Sequence, residues 1–324
     1  MVLGRARVRG MPPQFWLWLG VLVSAFAVGY WYWAQRELAE AKSRVLGKQR
    51  AVEATLGPKI HPFRDLIETW TSKLAGPYEG DLVDDAASLE RIQRRPGVYL
   101  RLMIDNARLA EDIRKNAARS LLDGFTSCLF VRSADADPTR GKACKSTLDC
   151  EPGHLCNEWD RCHQPPRPYN LRLAYRALRV LSDAWTAEVH QAASELAVTA
   201  YERDLDAATL TDVPVSIEVL ELADYFTVVL DEAPASGLPE PLPDVEESRE
   251  ERVQRVEHFA RVGVWDLESK KPVLRLRRRV AGRYVPVGKQ QVPTPAVRAA
   301  QERQTLSCAL ALEVKRALAD FRGP

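Results

Sequence analysis

The chain has 324 residues, 46% of them hydrophobic and 28% charged, with a formal charge of +2. That balance excludes a disordered chain, and the near-neutral charge offers no electrostatic footprint for nucleic acid. The length suits one large domain or two modest ones and allows a core that forms without staples.

Residues 1–13 form a short tail carrying Arg5, Arg7 and Arg9. Met11 to Gln35 then contains no charged residue. Its apolar part, Phe15–Ala34, is about 30 Å long as a helix, the thickness of a bilayer's hydrocarbon. Trp16 and Trp18 mark one end; Tyr30, Trp31, Tyr32 and Trp33 mark the other, as aromatic belts do. A transmembrane helix is predicted over 14–34. The rival is a cleaved signal peptide, with a basic start and an A-x-A site at Ala25-Phe26-Ala27, leaving a protein secreted after cleavage near Ala27. The apolar run continues through Val28–Ala34, which a cleaved signal does not need, so a retained anchor is expected. Arg36, Lys42, Arg44 and Lys48 follow the span, so flanking charge does not orient it.

Residues 35–57 read as a helical stalk continuing the membrane helix. Leu38, Val45 and Val52 recur every seven residues, a seam through which a homodimer is conceivable. The remainder, 58–324, is an extracytoplasmic domain. Phe63, Leu66, Ile67, Trp70 and Leu74 mark an amphipathic helix. A second helix is predicted over Asp84–Arg94. A third carries Tyr99, Met103, Asn106, Ala110, Ile113 and Ala117 on one stripe and stops near Gly124. Thr126–Arg132 reads as a strand.

A Cys-rich insertion, 140–166, follows. Cys144, Cys150, Cys156 and Cys162 are separated by five residues each. Zinc sites favour closer pairs, and no C-x-x-C redox motif occurs. His154, His163 and neighbouring acids keep a metal in view, but a loop this short and coreless suits two disulfides, with three connectivities open. Asp149-Cys150-Glu151-Pro152-Gly153-His154-Leu155-Cys156 resembles the D-C-x-x-G-x-x-C of the Dickkopf-type cysteine pattern in secreted and surface proteins. The resemblance implies folding outside the cytoplasm and the interleaved pairing Cys144–Cys156 and Cys150–Cys162. Cys128 and Cys308 complete an even set; a bond between them competes with two buried free thiols. Disulfides persist in oxidising compartments. The N-terminus is therefore expected inside and the bulk of the chain outside. With no N-x-S/T sequon, a bacterial periplasm, with the anchor in the inner membrane, fits at least as well as a glycosylating lumen.

A long helix is predicted over Tyr169–Leu205, and a shorter one from Pro214 feeds a strand at Phe226–Asp231. Residues 232–247, with four prolines and many acids, read as a surface loop. Glu246–Arg261 reads as a charged helix. An antiparallel meander is predicted from Val262–Leu267, Pro272–Val280 and Arg283–Val287. Thr294 is placed to cap a final helix opened by Pro295 and buried through Leu306, Leu310, Val314, Ala317 and Phe321. The fold class is α+β: a helical layer on a small antiparallel meander, with a disulfide-rich loop insertion and an N-terminal transmembrane helix.

The usual catalytic and nucleotide-binding motifs are absent, and no cofactor is expected. In Val273–Val280, Arg275, Arg277 and Arg279 alternate with apolar residues, and Lys270, Lys271 and Arg283 lie nearby. They form a candidate face for an anionic partner; the plainer alternative is a solvated sheet face paired with local acids. Three readings follow. One is a non-enzymatic anchored protein that binds or scaffolds an envelope component. The others are a membrane-tethered hydrolase or carbohydrate-active enzyme, and a metal-binding sensor built on the Cys/His cluster.

Overall fold

A computed structural model describes residues 13–84, 91–92, 95, 97–120, 124–130, 140–146, 149–151, 154–156, 160–163, 169–242, 246–282 and 294–320. The basic tail, most of the helix expected over Asp84–Arg94, the strand expected over Arg283–Val287, and Arg283 itself lie outside the described residues.

Helix α1, Pro13–Ala75, is a single helix of 63 residues, about 95 Å long. The expected span, stalk and first amphipathic helix are thus one element. Leu17–Trp33 is exposed along its apolar side chains, and α1 is the one described helix long and apolar enough to cross a membrane. Further along, the helix is built into the chain's own core. Val45, at the centre of the seven-residue seam, is buried, and Leu38 packs against the same cluster.

The remaining elements surround a six-stranded sheet. Its strands are β1 (Leu82–Val83), β2 (Gly97–Met103), β5 (Tyr169–Asn170), β6 (Tyr225–Asp231), β7 (His258–Asp266) and β8 (Lys271–Val280). Their order is β1-β8-β7-β6-β2-β5. Strand β2 runs parallel to β5 and β6; the other pairs are antiparallel. The small antiparallel meander is therefore corrected to a mixed sheet in which β6, β7 and β8 form the meander. The short β3 (Leu155–Cys156) and β4 (Cys162–His163) make a separate hairpin.

Helices cover both sheet faces. On one lie the end of α1, α2 (Ala110–Ala117), α4 (Arg172–Leu178) and α7 (Val213–Leu222), packed on Val98, Leu100, Phe226 and Val228. On the other lie α3 (Gly124–Leu129) and α9 (Pro295–Asp320), packed on Tyr99, Val229, Val262 and Leu276. The single helical layer expected is thus two. Buried on both sides, β2 and β6 read as unbroken apolar runs, GVYLRLM and YFTVVLD. Such a run lacks the alternation that marks a half-exposed strand, which is why the helix expected from Tyr99 begins only at Ala110.

Three further boundaries differ. The strand expected over Thr126–Arg132 is replaced, in its described part, by α3, whose Phe125 and Leu129 bury one turn apart against α9. The long helix expected over 169–205 is divided: β5 and α4 come first, then a 3₁₀ turn (Arg179–Leu181), α5 (Asp183–Gln191) and α6 (Glu195–Ala207). Ser182 and Ser194 cap the last two, accepting hydrogen bonds from the Trp185 and Ala197 amides. The charged helix expected over 246–261 shrinks to α8 (Arg249–Gln254), opened by a Ser248–Glu251 capping box, because His258–Arg261 already belong to β7. A bulge at Val264/Trp265 accompanies a close contact: a Cβ at Gly263 would sit 2.4 Å from the Trp265 ring. That ring stacks on Trp70 at 5.5 Å and joins α1 to the sheet.

Candidate functional site

The cysteine-rich loop holds itself together. Cys144 pairs with Cys156 (Cα–Cα 5.8 Å) and Cys150 with Cys162 (5.4 Å), the interleaved arrangement that the Dickkopf-type resemblance implies. Asp149 Oδ2 accepts from the Lys145 and Ser146 amides at 2.8 and 3.0 Å, and these bonds hold its carboxyl below the usual range. The Cys144 amide donates to Asp160 O, and the Cys162 amide to Lys142 O. The sulfurs of Cys144, Cys150 and Cys162 lie within 4.8 Å of one another. All three are spent in disulfides, so a metal could take them as thiolates only after reduction. A third bond, Cys128–Cys308 (Cα–Cα 5.2 Å), ties α3 to α9 across 180 residues.

The arginine face lies where α1 no longer covers the sheet. Arg277 forks onto Glu232, with Nε to Oε1 at 2.9 Å and Nη2 to Oε2 at 2.6 Å. Arg261 reaches the same Oε1 at 2.8 Å. Burial pushes the Glu232 carboxyl up, and the bonds from Arg277 and Arg261 outweigh it, leaving it below the usual carboxylate range. Arg275 donates to Gly80 O and pairs with Glu79; Arg278 pairs with Asp81; Arg279 pairs with Glu257. The Arg277 guanidinium also lies 4.4 Å from the centre of the Phe259 ring. Lys270, in the β7–β8 turn, and Lys271, the first residue of β8, are exposed. The guanidinium charge of this face is thus matched locally by acids. β1 covers β8 only at Leu274 and Arg275, and charged side chains beyond that point protect a strand edge from unwanted pairing.

A polar cluster that sequence reasoning missed is buried under α9. Arg101, Asp231 and His258 come from three adjacent strands, with side chains 2%, 1% and 0% exposed. Arg101 donates from Nε to Asp231 Oδ2 at 2.7 Å and from Nη2 to Oδ1 at 2.9 Å; its Nη1 donates to Ser307 Oγ at 2.8 Å. Gln254 Nε2 donates to Asp231 Oδ2 at 3.2 Å. His258 places Nε2 3.0 Å from Asp231 Oδ1 and Nδ1 2.8 Å from Val256 O. Both partners are acceptors, so the ring satisfies both only with a proton on each nitrogen. Burial pushes the Asp231 carboxyl up, but Arg101 and His258 overcome this and hold it well below the usual range. The carboxylate accepts from three side chains and is shut away from solvent. This arrangement fastens β2, β6, β7, α8 and α9 together.

Other buried carboxylates also meet arginine. Glu68 on α1 accepts two bonds from the half-exposed Arg114 on α2; Glu247 meets Arg255 and Arg303 through Oε1 alone, and its buried Oε2 has no hydrogen-bond partner among the described residues. The proline-rich segment ahead of α8 is pinned as well: Arg252 donates to Pro239 O and Arg255 to Glu240 O. The one available signal for the buried cluster was a charge inside each apolar run, Arg101 in GVYLRLM and Asp231 closing YFTVVLD. No protein-family model, curated protein or solved structure matches this chain.

Proposed function

We propose that the chain is a non-enzymatic, single-pass envelope protein: an inner-membrane anchor whose periplasmic domain binds or scaffolds another envelope component. The observation that carries the reading is the continuity of α1. Its first part is exposed, apolar and ringed with aromatic residues, while its later part is welded into a folded core. A cleaved signal peptide has no reason to continue as the central helix of the mature domain. A membrane helix fused to such a helix holds the domain at the bilayer without a flexible tether. Three disulfides favour an oxidising compartment for that domain. The paired state of Asp231 and Glu68 favours a structural over a catalytic use for these two carboxylates. Secretion after cleavage near Ala27 is the competing outcome.

The test combines fractionation with crosslinking. The chain is expected to stay with membranes through alkaline carbonate extraction, with its N-terminal segment intact by mass. Crosslinking in intact cells is expected to join the domain to an envelope protein. Recovery of the chain as a soluble periplasmic species starting near residue 28 overturns the anchor. Turnover of an envelope polymer by the purified domain overturns the non-enzymatic reading.

A further inference from the structure

The hydrogen bonds between α1 and its neighbours show which part of the folded domain points toward the apolar segment. Gln49 Nε2 donates to Thr186 Oγ1 at 2.9 Å, and Lys42 Nζ donates to His190 O at 2.7 Å. Moving forward along α5 from Thr186 to His190 is thus moving back along α1 from Gln49 to Lys42, so these two helices are antiparallel. The connection Ala192–Ser194 separates α5 from α6. By Glu202 and Asp206 the chain has returned to Lys48, whose Nζ donates to them at 2.9 and 3.0 Å. Helix α6 therefore runs parallel to α1, and the α5–α6 corner points toward the apolar segment.

The packing agrees with this direction. Ala41, Val45 and Leu46 of α1 are buried in the cluster that holds Val189, Ala192 and Val198, and Leu38 still packs against it. Leu38 lies only about 6 Å of helix beyond Ala34, where the apolar run ends. The headgroup layer on each side of a bilayer is itself about 5–7 Å thick. With the apolar run across the hydrocarbon, the corner stands level with the headgroups.

The corner presents Ala193, Ser194, Glu195 and Leu196, all of them exposed. Leu196, in the first turn of α6, is 81% exposed, more than any other large apolar side chain among the described residues, those of the apolar segment included. A solitary exposed leucine is ordinary on a protein surface. Its direction sets this one apart. Side chains on a helix tilt toward its N-terminus, and the N-terminus of α6 faces the membrane segment, so Leu196 leans toward the bilayer. Charge contributes little to such a contact, since Glu195 is acidic and Arg36 on α1 already pairs with Glu40 at 2.9 Å.

We infer that the α5–α6 corner is a lipid-contacting surface, seated on the headgroup layer with Leu196 inserted at its apolar boundary. The inference rests on the anchored reading above. It adds a second contact with the same membrane, one that sets the height and tilt of the domain where the α1 span alone would leave the helix free to lean.

The test uses the full chain in phosphatidylcholine vesicles, with a fluorophore carried on a non-natural residue at one position per sample, so that the native cysteines stay paired. Val28 reports from the apolar run, Ala193 from the corner and Lys73 from the far end of α1; all three are exposed. Nitroxide lipids are the quenchers, labelled either on the headgroup or deep in the acyl chain. Val28 is expected to be quenched by the acyl-chain nitroxide, and Ala193 by the headgroup nitroxide, severalfold more than Lys73. An unquenched Val28 overturns the anchored reading and the corner with it. A quenched Val28 beside an Ala193 no more quenched than Lys73 overturns the corner and leaves the anchor standing. Leu196→Gln, at an exposed position, is expected to leave the thermal midpoint in detergent unchanged while removing most of the headgroup quenching at Ala193. Quenching untouched by that substitution, or abolished in the unsubstituted chain by high salt, overturns an apolar seat.

Discussion

Asp231 and Glu232 are neighbours in sequence, and each takes a two-pronged bond from an arginine, yet they face opposite sides of the sheet. Asp231 and Arg101 are sealed beneath α9. Glu232 and Arg277 lie on the open side, where the Arg277 side chain is 39% exposed, and Glu232, 16% exposed, keeps Arg261 as a second partner. The geometry is nearly the same, but the surroundings are not. Removing one partner of a buried pair strands a charge in a medium that cannot solvate it. Removing one partner of an open pair returns the other to water. What each bond contributes is decided less by its length than by what replaces it when it is broken.

The largest expected effect follows from that difference. Asp231→Ala should lower stability by about 3–5 kcal/mol, read as the shift of a denaturant midpoint, because Arg101 is left buried and uncompensated. A change below that of the open-side variants would break the comparison. Loss of the Cys128–Cys308 bond, through serine at both positions, should cost roughly 2–5 kcal/mol. Ser307, which accepts from Arg101, adjoins Cys308, so that variant should also raise hydrogen exchange at Arg101. The effect of pH comes next. The Asp231 carboxyl titrates below its ordinary value of 3.8 in the folded chain, so its contribution is complete above that value and drains away as pH falls toward the folded one. Asp231→Asn should therefore flatten the acid limb of the stability profile, and an unchanged limb would count against the pairing. The smallest effect belongs to Arg277→Gln, expected to shift stability by only about 0–1 kcal/mol and to lose even that in high salt.

Legibility in the sequence followed the range of the interactions. Thr294 caps α9, accepting a bond from the Val297 amide, and the Thr294-Pro295 pair announced it. The sides taken by Val262, Val264, Trp265 and Leu267 also match the period-2 pattern of β7. Where both faces of a strand are buried, the pattern loses its period, and Gly97–Met103 passed for the start of a helix. The Cys128–Cys308 bond reads as an even cysteine count, but the helix that presents Cys128 does not, because the α9 contact outweighs the strand propensity of Phe125 and Thr126. The Arg101–Asp231–His258 cluster draws on positions 130 and 27 residues apart, and no local spacing announces it.

The proposed placement of the disulfide-bonded domain outside an inner-membrane anchor is tested most directly by protease accessibility in spheroplasts. Protease added from outside should degrade the domain and leave a small, carbonate-resistant fragment containing the apolar part of α1. A domain that stays intact until the cytoplasmic membrane is ruptured, or that is already free in the periplasmic fraction, would contradict the account.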